Sequence, residues 1–268
     1  MRGMDISLSQ SRIAALRQAS AQQVAVEVVA ETGSTNADLL ARLDQLSSPL
    51  LLAAETQTAG RGRAGRNWHS APGATLTFSL AWRFGRPLQS LLGLPLAVGV
   101  ALAEALAALD VHVELKWPND VLKDGKKLAG ILIESAPVRQ ASQQAVWAVI
   151  GIGLNLTMPD HLEAAIGHSV ADAPWLARMD RSQLLAALLN ALAEALTQFE
   201  EGGFKAFMPR WNRLHAYAGQ MVLILDHGKV LQQGRAAGAD ESGCLLLDTA
   251  AGRIAVVAGD VSLRIKEH

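Results

Sequence analysis

Apolar and polar positions alternate with a period of two in several segments, and each such run predicts a strand. Over Thr75–Trp82, Leu76, Phe78, Leu80 and Trp82 alternate with Thr75, Thr77, Ser79 and Ala81. Val111, Val113, Leu115 and Trp117 repeat the pattern, and Pro118 ends it. Val24–Val29, Leu50–Glu55, Leu128–Glu134 and Val146–Leu156 are apolar runs that also predict strands. Asp124-Gly125 reads as a hairpin turn. Other segments carry helical spacing. Ser182–Glu201 places Leu185, Leu188, Leu192, Leu196 and Phe199 on one face, and Gly202-Gly203 stops it. Leu91–Leu109 is apolar apart from Glu104 and predicts a buried helix. Shorter helices are expected over Ser11–Ser20 and over Ala37–Leu43, the latter behind a cap at Ser34-Thr35-Asn36.

After Tyr217 the texture changes. Met221–Leu225, Val230–Ala236, Cys244–Asp248, Arg253–Val257 and Val261–Ile265 are five short strands separated by turns. That spacing suggests a small closed barrel. The pattern therefore predicts an α+β core over residues 1–217 and a β module over 218–268.

Composition narrows the class. Of 268 residues, half are hydrophobic and 18% charged, enough apolar material for a sizeable core. Lys and Arg total 24 against 25 Asp and Glu, which excludes a globally basic nucleic-acid binder. The single cysteine, Cys244, excludes an intrachain disulfide and a Cys-based metal cluster, and suits a reducing cytoplasm. Arg2, Asp5 and Arg12 stand among polar residues with no apolar run between them, so no signal peptide is expected. The stretch Leu91–Ala103 lacks charge but is shorter than the about 20 residues of a membrane span.

The chemistry concentrates in a few segments. Gly60-Arg61-Gly62-Arg63-Ala64-Gly65-Arg66-Asn67-Trp68 is formally G-x-G-x-x-G, but a strand follows where a dinucleotide site needs a helix. As a P-loop it fails too, with Arg66-Asn67 where Lys-Ser/Thr is required. Its glycines allow close backbone approach, and its three arginines suit an anion, a nucleic acid, or simply a solvated turn. Lys116-Trp117-Pro118-Asn119-Asp120 sets a lysine and a carboxylate at a strand end. Asp120 reads either as a turn residue or as a contact for Mg²⁺ held mainly by nucleotide phosphates. Lys127 enters the apolar strand beside Gly130, where it either snorkels or points one charge into a cleft. Gly151-Ile152-Gly153-Leu154-Asn155 ends another strand, as a bulge or as a close approach to ligand.

Taken in order, Gly33-Ser34-Thr35-Asn36, Gln57–Trp68, Lys116–Asp120, Lys127–Leu132 and Gly151–Asn155 resemble the biotin protein ligases, of the type without an N-terminal DNA-binding domain. The resemblance runs from about Val26 to the C-terminus. It implies a catalytic core like that of class II aminoacyl-tRNA synthetases followed by an SH3-like barrel. It implies ATP-dependent formation of biotinyl-5′-AMP, with Mg²⁺, and transfer of biotin to a lysine of the carrier protein of acetyl-CoA carboxylase.

By the same resemblance Ser34, Thr35, Asn36, Gln57, Arg61, Gly62, Arg63, Lys127, Gly130 and Gly151 surround biotin. Arg63, Arg66, Trp68, Lys116 and Asn155 meet ATP or the adenylate. Lys127, Arg61 and Arg63 carry the catalysis, and Asp120 sits near Mg²⁺. About 25 residues precede the first strand, too few for a DNA-binding domain with its own core, so no repressor function is expected. A homodimer is compatible with the sequence, and no membrane partner is expected. The competing readings are a lipoate or octanoate ligase, and a non-enzymatic RNA-binding module. Polarity at Ser34, Thr35 and Gln57 suits a ureido ring better than a dithiolane, and 4% aromatic residues offer few stacking platforms.

Overall fold

The computed structural model describes residues 7–138, 145–166 and 169–266. The N-terminal stretch holding Arg2 and Asp5 lies outside them. In chain order the core contains α1 (Gln10–Ala15), β1 (Ala25–Thr32), α2 (Thr35–Arg42), β2 (Leu50–Gln57), β3 (Thr75–Phe84), α3 (Leu94–Ala107), β4 (Glu114–Lys116), β5 (Asp120–Lys123), β6 (Lys126–Pro137) and β7 (Val146–Asn155). Three helices follow: α4 (Asp160–Ile166), α5 (Arg181–Gly202) and α6 (Met208–Leu214). The C-terminal strands are β8 (Met221–Asp226), β9 (Lys229–Ala239), β10 (Leu245–Thr249), β11 (Gly252–Val256) and β12 (Val261–Ile265).

Seven strands form one mixed sheet in the order β1-β2-β3-β7-β6-β5-β4. Only β1 and β2 are parallel; the other ladders are antiparallel. Strand alternation gives the sheet two different faces. Leu76, Phe78, Leu80, Ile131, Ile150, Ile152 and Leu154 join the large core formed with α3 and α5. On the opposite face α2 brings Leu39 and Leu43 onto Leu50, Leu52, Ala81, Trp147 and Val149. This second cover is small, and the functional site occupies the part of that face that α2 leaves open. One buried ion pair ties the layers together: the Arg181 guanidinium of α5 bonds Glu55 of β2 and donates to the Thr75 carbonyl of β3.

Several expectations change in length for physical reasons. Only Glu114–Lys116 of the expected Val111–Trp117 strand is paired, because its neighbour β5 is four residues long. The first strand instead runs on through Glu31 and Thr32, because β2 pairs with it as far as Thr32↔Gln57. The apolar helix begins only at Leu94, where Gly93 adopts a left-handed φ of 78°. Its apolar stretch, Leu88–Ala107, is longer than the sequence reading allowed and reaches membrane-spanning length and hydropathy. It lies 61% buried against the sheet and α5, as a core helix does.

Asp180 caps α5, accepting from Ser182 N at 2.8 Å and Gln183 N at 3.1 Å. The short helix expected over Ser11–Ser20 is two pieces, α1 and a 3₁₀ turn at Ala19–Ala21. Helices α4 and α6 lack a long apolar period and were missed. Asp124 and Gly125 form the expected turn, with φ of 51° and 73°.

The C-terminal strands form a separate antiparallel sheet in the order β11-β10-β9-β8-β12. No ladder joins β11 to β12 among the described residues, so the closure expected of a barrel is not made by backbone pairing. Several contacts fasten the module to the core, Asn212 with the Ala239 backbone among them. Buried Trp117 donates its indole N–H to the Gly243 carbonyl at 3.1 Å. Leu115 also bridges His215, just before β8.

Candidate active site

The floor of the site follows from strand register. Thr77 pairs with Gly153, and Gly153 with Gly130; Ser79 pairs with Gly151, and Gly151 with Leu132. All lie on the sheet face away from α3 and α5. Glycines paired across β6 and β7 leave a platform without side chains, and the Trp68 indole lies on it. A Cβ at Gly153 would stand 2.7 Å from Trp68 Nε1, and one at Gly130 would stand 3.4 Å from Trp68 Cζ3. A Cβ at Gly151 would stand 2.9 Å from Asn36 Cγ. These glycines make room for neighbouring side chains; they are not bulges.

The wall is a continuous chain of polar groups at the start of α2. Ser34 caps the helix, its hydroxyl accepting from Ala37 N at 3.5 Å. The Thr35 backbone N–H donates to Gln57 Oε1 at 2.8 Å. Thr35 and Ser79 hydroxyls lie 2.6 Å apart, and Ser79 donates to Asn36 Oδ1 at 2.6 Å. Asn36 Nδ2 donates to Glu134 Oε2 at 2.9 Å, and Arg61 Nη2 to both Glu134 oxygens at 3.0 and 2.8 Å. Ser34, Thr35, Asn36 and Ser79 are buried, so every polar atom left without a partner there carries a desolvation cost.

The Gly/Arg segment forms a compact hairpin over this wall. Trp68 N donates to the Gly60 carbonyl at 2.8 Å and Gly62 N to the Arg66 carbonyl at 2.6 Å, while Arg61 bridges Asn67. Ala64 and Gly65, both at positive φ, make its tip. Arg63 donates to Asn119 Oδ1 at 2.9 Å and reaches the C-terminal module, where it bonds the Gly259 carbonyl and approaches that of Val261 at 3.5 Å.

Beside the loop lies a charged cluster. Lys127 Nζ is 2.6 Å from Asp120 Oδ1, and Lys116 Nζ is 3.4 Å from Asp120 Oδ2. Burial pushes the Asp120 carboxyl up, but the two ammonium groups together outweigh it and hold the carboxyl below its ordinary range. Burial lowers Lys116, and Asp120 offsets part of that. Asp120 is therefore the shared counter-ion of two lysines. Both of its carboxylate oxygens face ammonium groups in this structure. Among the described residues no group of three or more His, Cys, Asp or Glu is placed to hold a metal.

Two hollows meet here. One, of about 50 Å³, is lined by Ser34, Thr35, Asn36, Gln57, Arg61, Gly62, Arg63, Trp68, Lys127, Gly130 and Gly151. The second is an open cleft of about 660 Å³ between core and C-terminal module. It holds Arg63, Arg66, Trp68, Lys116, Asp120, Lys127 and Asn155. Gly62, Arg63, Trp68, Asn119 and Lys127 line both. Every residue expected at the site is thus brought to one of the two.

Asn155 lines the cleft and is held by its own hydrogen bonds. Its Nδ2 donates to the Ala171 carbonyl at 3.1 Å and the Lys127 carbonyl at 3.4 Å, so it braces the cleft wall. The sequence reading missed Ser79, Glu134 and the C-terminal residues Tyr217 and Arg264, which line the cleft or its wall. Ser79 sat on the polar side of a correctly read strand, and Glu134 was the one carboxylate in its apolar run. Tyr217 and Arg264 carried no signal.

This fold and site are those of an acyl-activating protein ligase. Residues 26–155 match the Biotin/lipoate A/B protein ligase family, and residues 217–264 match the Biotin protein ligase C terminal domain. The chain is 35% identical over 249 residues to the Bifunctional ligase/repressor BirA of Escherichia coli, covering 90% of this chain and 75% of that one. It is 35% identical over 243 residues to the Biotin--[acetyl-CoA-carboxylase] ligase of Mycobacterium tuberculosis, covering 88% of each. The solved biotin protein ligase of Aquifex aeolicus in complex with biotin and ATP superposes with a TM-score of 0.74 at 30% identity, over 90% of this chain and 99% of that chain. The chain belongs to the biotin protein ligase family.

Proposed function

We propose that this chain activates biotin with ATP and transfers the biotinyl group to a lysine of a biotin carboxyl carrier protein. The observation that carries the reading is the join between the two hollows. A polar pocket opens at Arg63 and Lys127 into a larger cationic cleft. A carboxylic acid seated in the pocket would present its carboxylate where a nucleotide's α-phosphate enters from the cleft. The chemistry needs no protein nucleophile, since the substrate supplies one; it needs positioning and positive charge.

In the first step a biotin carboxylate oxygen attacks the α-phosphorus of ATP. A P–O bond forms, the bond to the bridging oxygen breaks, and pyrophosphate leaves with the electron pair. Lys127 and Arg63 stand against the charge that gathers on the phosphoryl oxygens, where charge-assisted bonds are strongest. In the second step the carrier lysine's neutral amine attacks the acyl carbon. The C–O bond to AMP breaks, AMP leaves with the electron pair, and the amine loses a proton.

Thr35, Gln57 and Asn36 offer the donors and acceptors that a ureido ring requires. Trp68 on its glycine platform covers the join, and Arg66 and Lys116 face the triphosphate side. Mg²⁺ bound to the nucleotide would supply charge neutralisation at the phosphates; Asp120, held between Lys127 and Lys116, lies on that side of the cleft. The same reading sets the reaction in the cytoplasm, where ATP and the carrier are made.

ATP–pyrophosphate exchange with Mg²⁺, comparing biotin, lipoate and octanoate, tests the reading. Exchange driven by biotin, followed by a mass increase of a carrier domain, is expected. Exchange with lipoate or octanoate alone would move the chain to the rival ligase class.

A further inference from the structure

Glu134 belongs to no segment that pointed to function, yet it stands at the end of the polar wall. Its carboxylate takes Asn36 Nδ2 at 2.9 Å and Arg61 Nη2 at 2.8 Å on the same oxygen. We propose that Glu134 is a positioning residue for binding of the acid substrate. It sets the proton direction along the pocket wall and holds the Arg61 strand of the loop at the pocket mouth. The proposal rests on the biotin reading above.

The proton argument starts from what each group can do. A carboxylate only accepts, so it must face the Asn36 amide nitrogen, which turns Asn36 Oδ1 toward Ser79. Ser79 then spends its single hydroxyl proton on Asn36, at 2.6 Å. The Thr35 hydroxyl, 2.6 Å from Ser79 and 3.0 Å from Gln57 Oε1, then directs its single proton to one of these two acceptors and does not receive one from Ser79. Gln57 Oε1 is taken by the Thr35 backbone N–H, so its Nε2 is left as the donor toward the pocket. Glu134, with the Leu132 carbonyl as a longer second acceptor at 3.4 Å, thus decides which wall atoms offer protons to a ligand and which offer lone pairs. Replacing it with an apolar side chain leaves only the long Leu132 contact to orient Asn36, which lowers the cost of an amide flip and of reversing each hydroxyl.

The second part is electrostatic. Arg61 and Glu134 neutralise each other at the mouth, so that the positive charge facing the pocket comes from Arg63 and from Lys127. Both partners are partly exposed, so the pair contributes little to global stability. Its effect falls on the loop.

The test measures biotin Kd by calorimetry, KM for biotin and for ATP in pyrophosphate exchange, and Tm, for wild type, Glu134→Ala and Glu134→Gln. Glu134→Ala is expected to raise biotin Kd and KM about tenfold, the loss of one hydrogen bond to a charged acceptor. ATP KM stays within about twofold and Tm barely moves. Glu134→Gln keeps an oxygen acceptor for Asn36 and loses only the ion pair, so it recovers most of the affinity. Unchanged biotin Kd in Glu134→Ala overturns the proposal. So does an equal rise in both KM values together with a lowered Tm, which marks a merely structural role. A Glu134→Gln variant as weak as Glu134→Ala overturns the proton-direction argument, and it decides the matter alone if the alanine variant does not fold. If wild type binds no biotin, the functional reading itself fails, and this inference with it; a normal wild type beside an unaffected variant sinks only the inference.

Discussion

Replacing Gly153 with alanine tests whether the glycine platform exists to seat Trp68. The added Cβ would stand 2.7 Å from Trp68 Nε1, nearer than any real carbon sits, and still closer to the ring carbons. Gly153 is paired on both sides, to Thr77 of β3 and to Gly130 of β6, so the strand cannot retreat. Trp68 sits on a hairpin outside the sheet, held to the core chiefly by arginine side chains, so the loop is what moves. Overpacking of this kind costs about 1–3 kcal/mol. Taken wholly from loop closure, that is a factor of about 5–150 between closed and open loop. The strand itself gains roughly 0.5 kcal/mol from losing a glycine, so Tm should change little.

Arg61, Arg63 and Arg66 make the loop its own reporter, because trypsin cleaves after each. Cleavage that depends on opening follows the open population. The Gly153→Ala protein should be nicked in residues 60–67 at least about fivefold faster with biotin and ATP present, and should release the adenylate faster by a similar factor. Equal nicking and equal adenylate release, in a protein of unchanged Tm, would refute the idea that the platform seats Trp68.

Two further outcomes are expected. Lys127→Ala should slow adenylate formation by about 10²–10³-fold, the scale of losing one donor at a charge-developing oxygen. Single-turnover measurement of biotinyl-5′-AMP checks this, and unchanged exchange in a folded variant would contradict it. His215 is buried, stacks on Trp211 at 4.7 Å, and has no hydrogen-bond partner on either ring nitrogen among the described residues. Burial lowers its pKa from 6.5 to about 4. A depressed histidine stabilises the folded state fully above pH 6.5 and loses that contribution as pH falls toward 4, so acid should cost about 3 kcal/mol through this residue. Denaturant titrations at pH 7 and pH 4.5 should show a smaller loss for His215→Phe than for wild type; equal losses would mean that the ring is hydrated in solution.

Much of the fold could be read from local pattern. Thr75–Trp82 and Ser182–Glu201 were found nearly in full because their periods are long and clean, and five turn-separated strands marked the C-terminal module. Edge strands were misjudged in both directions. Whether Val111 or Glu31 joins a ladder depends on how far the neighbouring strand runs, not on its own hydropathy. The Gly60–Trp68, Lys116–Asp120 and Lys127–Gly130 segments announced charge and backbone freedom, and all of them meet at the site.

What their residues bind to was another matter. From composition and spacing alone, Asp120 was open to a Mg²⁺ role; its two lysine neighbours come from different strands, and only the folded sheet sets both against one carboxylate. Glu134 was one acid in an apolar run until the β6–β7 register put it on the site face, across from Asn36, 98 residues away in the chain. Arg63 meets the Gly259 carbonyl 196 residues further on. Period, turn chemistry and charge content are local properties, and the chain carries them before it folds. Pairing of charges, direction of hydroxyl protons and the close approach of Trp68 to Gly153 are distances between remote segments, and only the packed structure decides them.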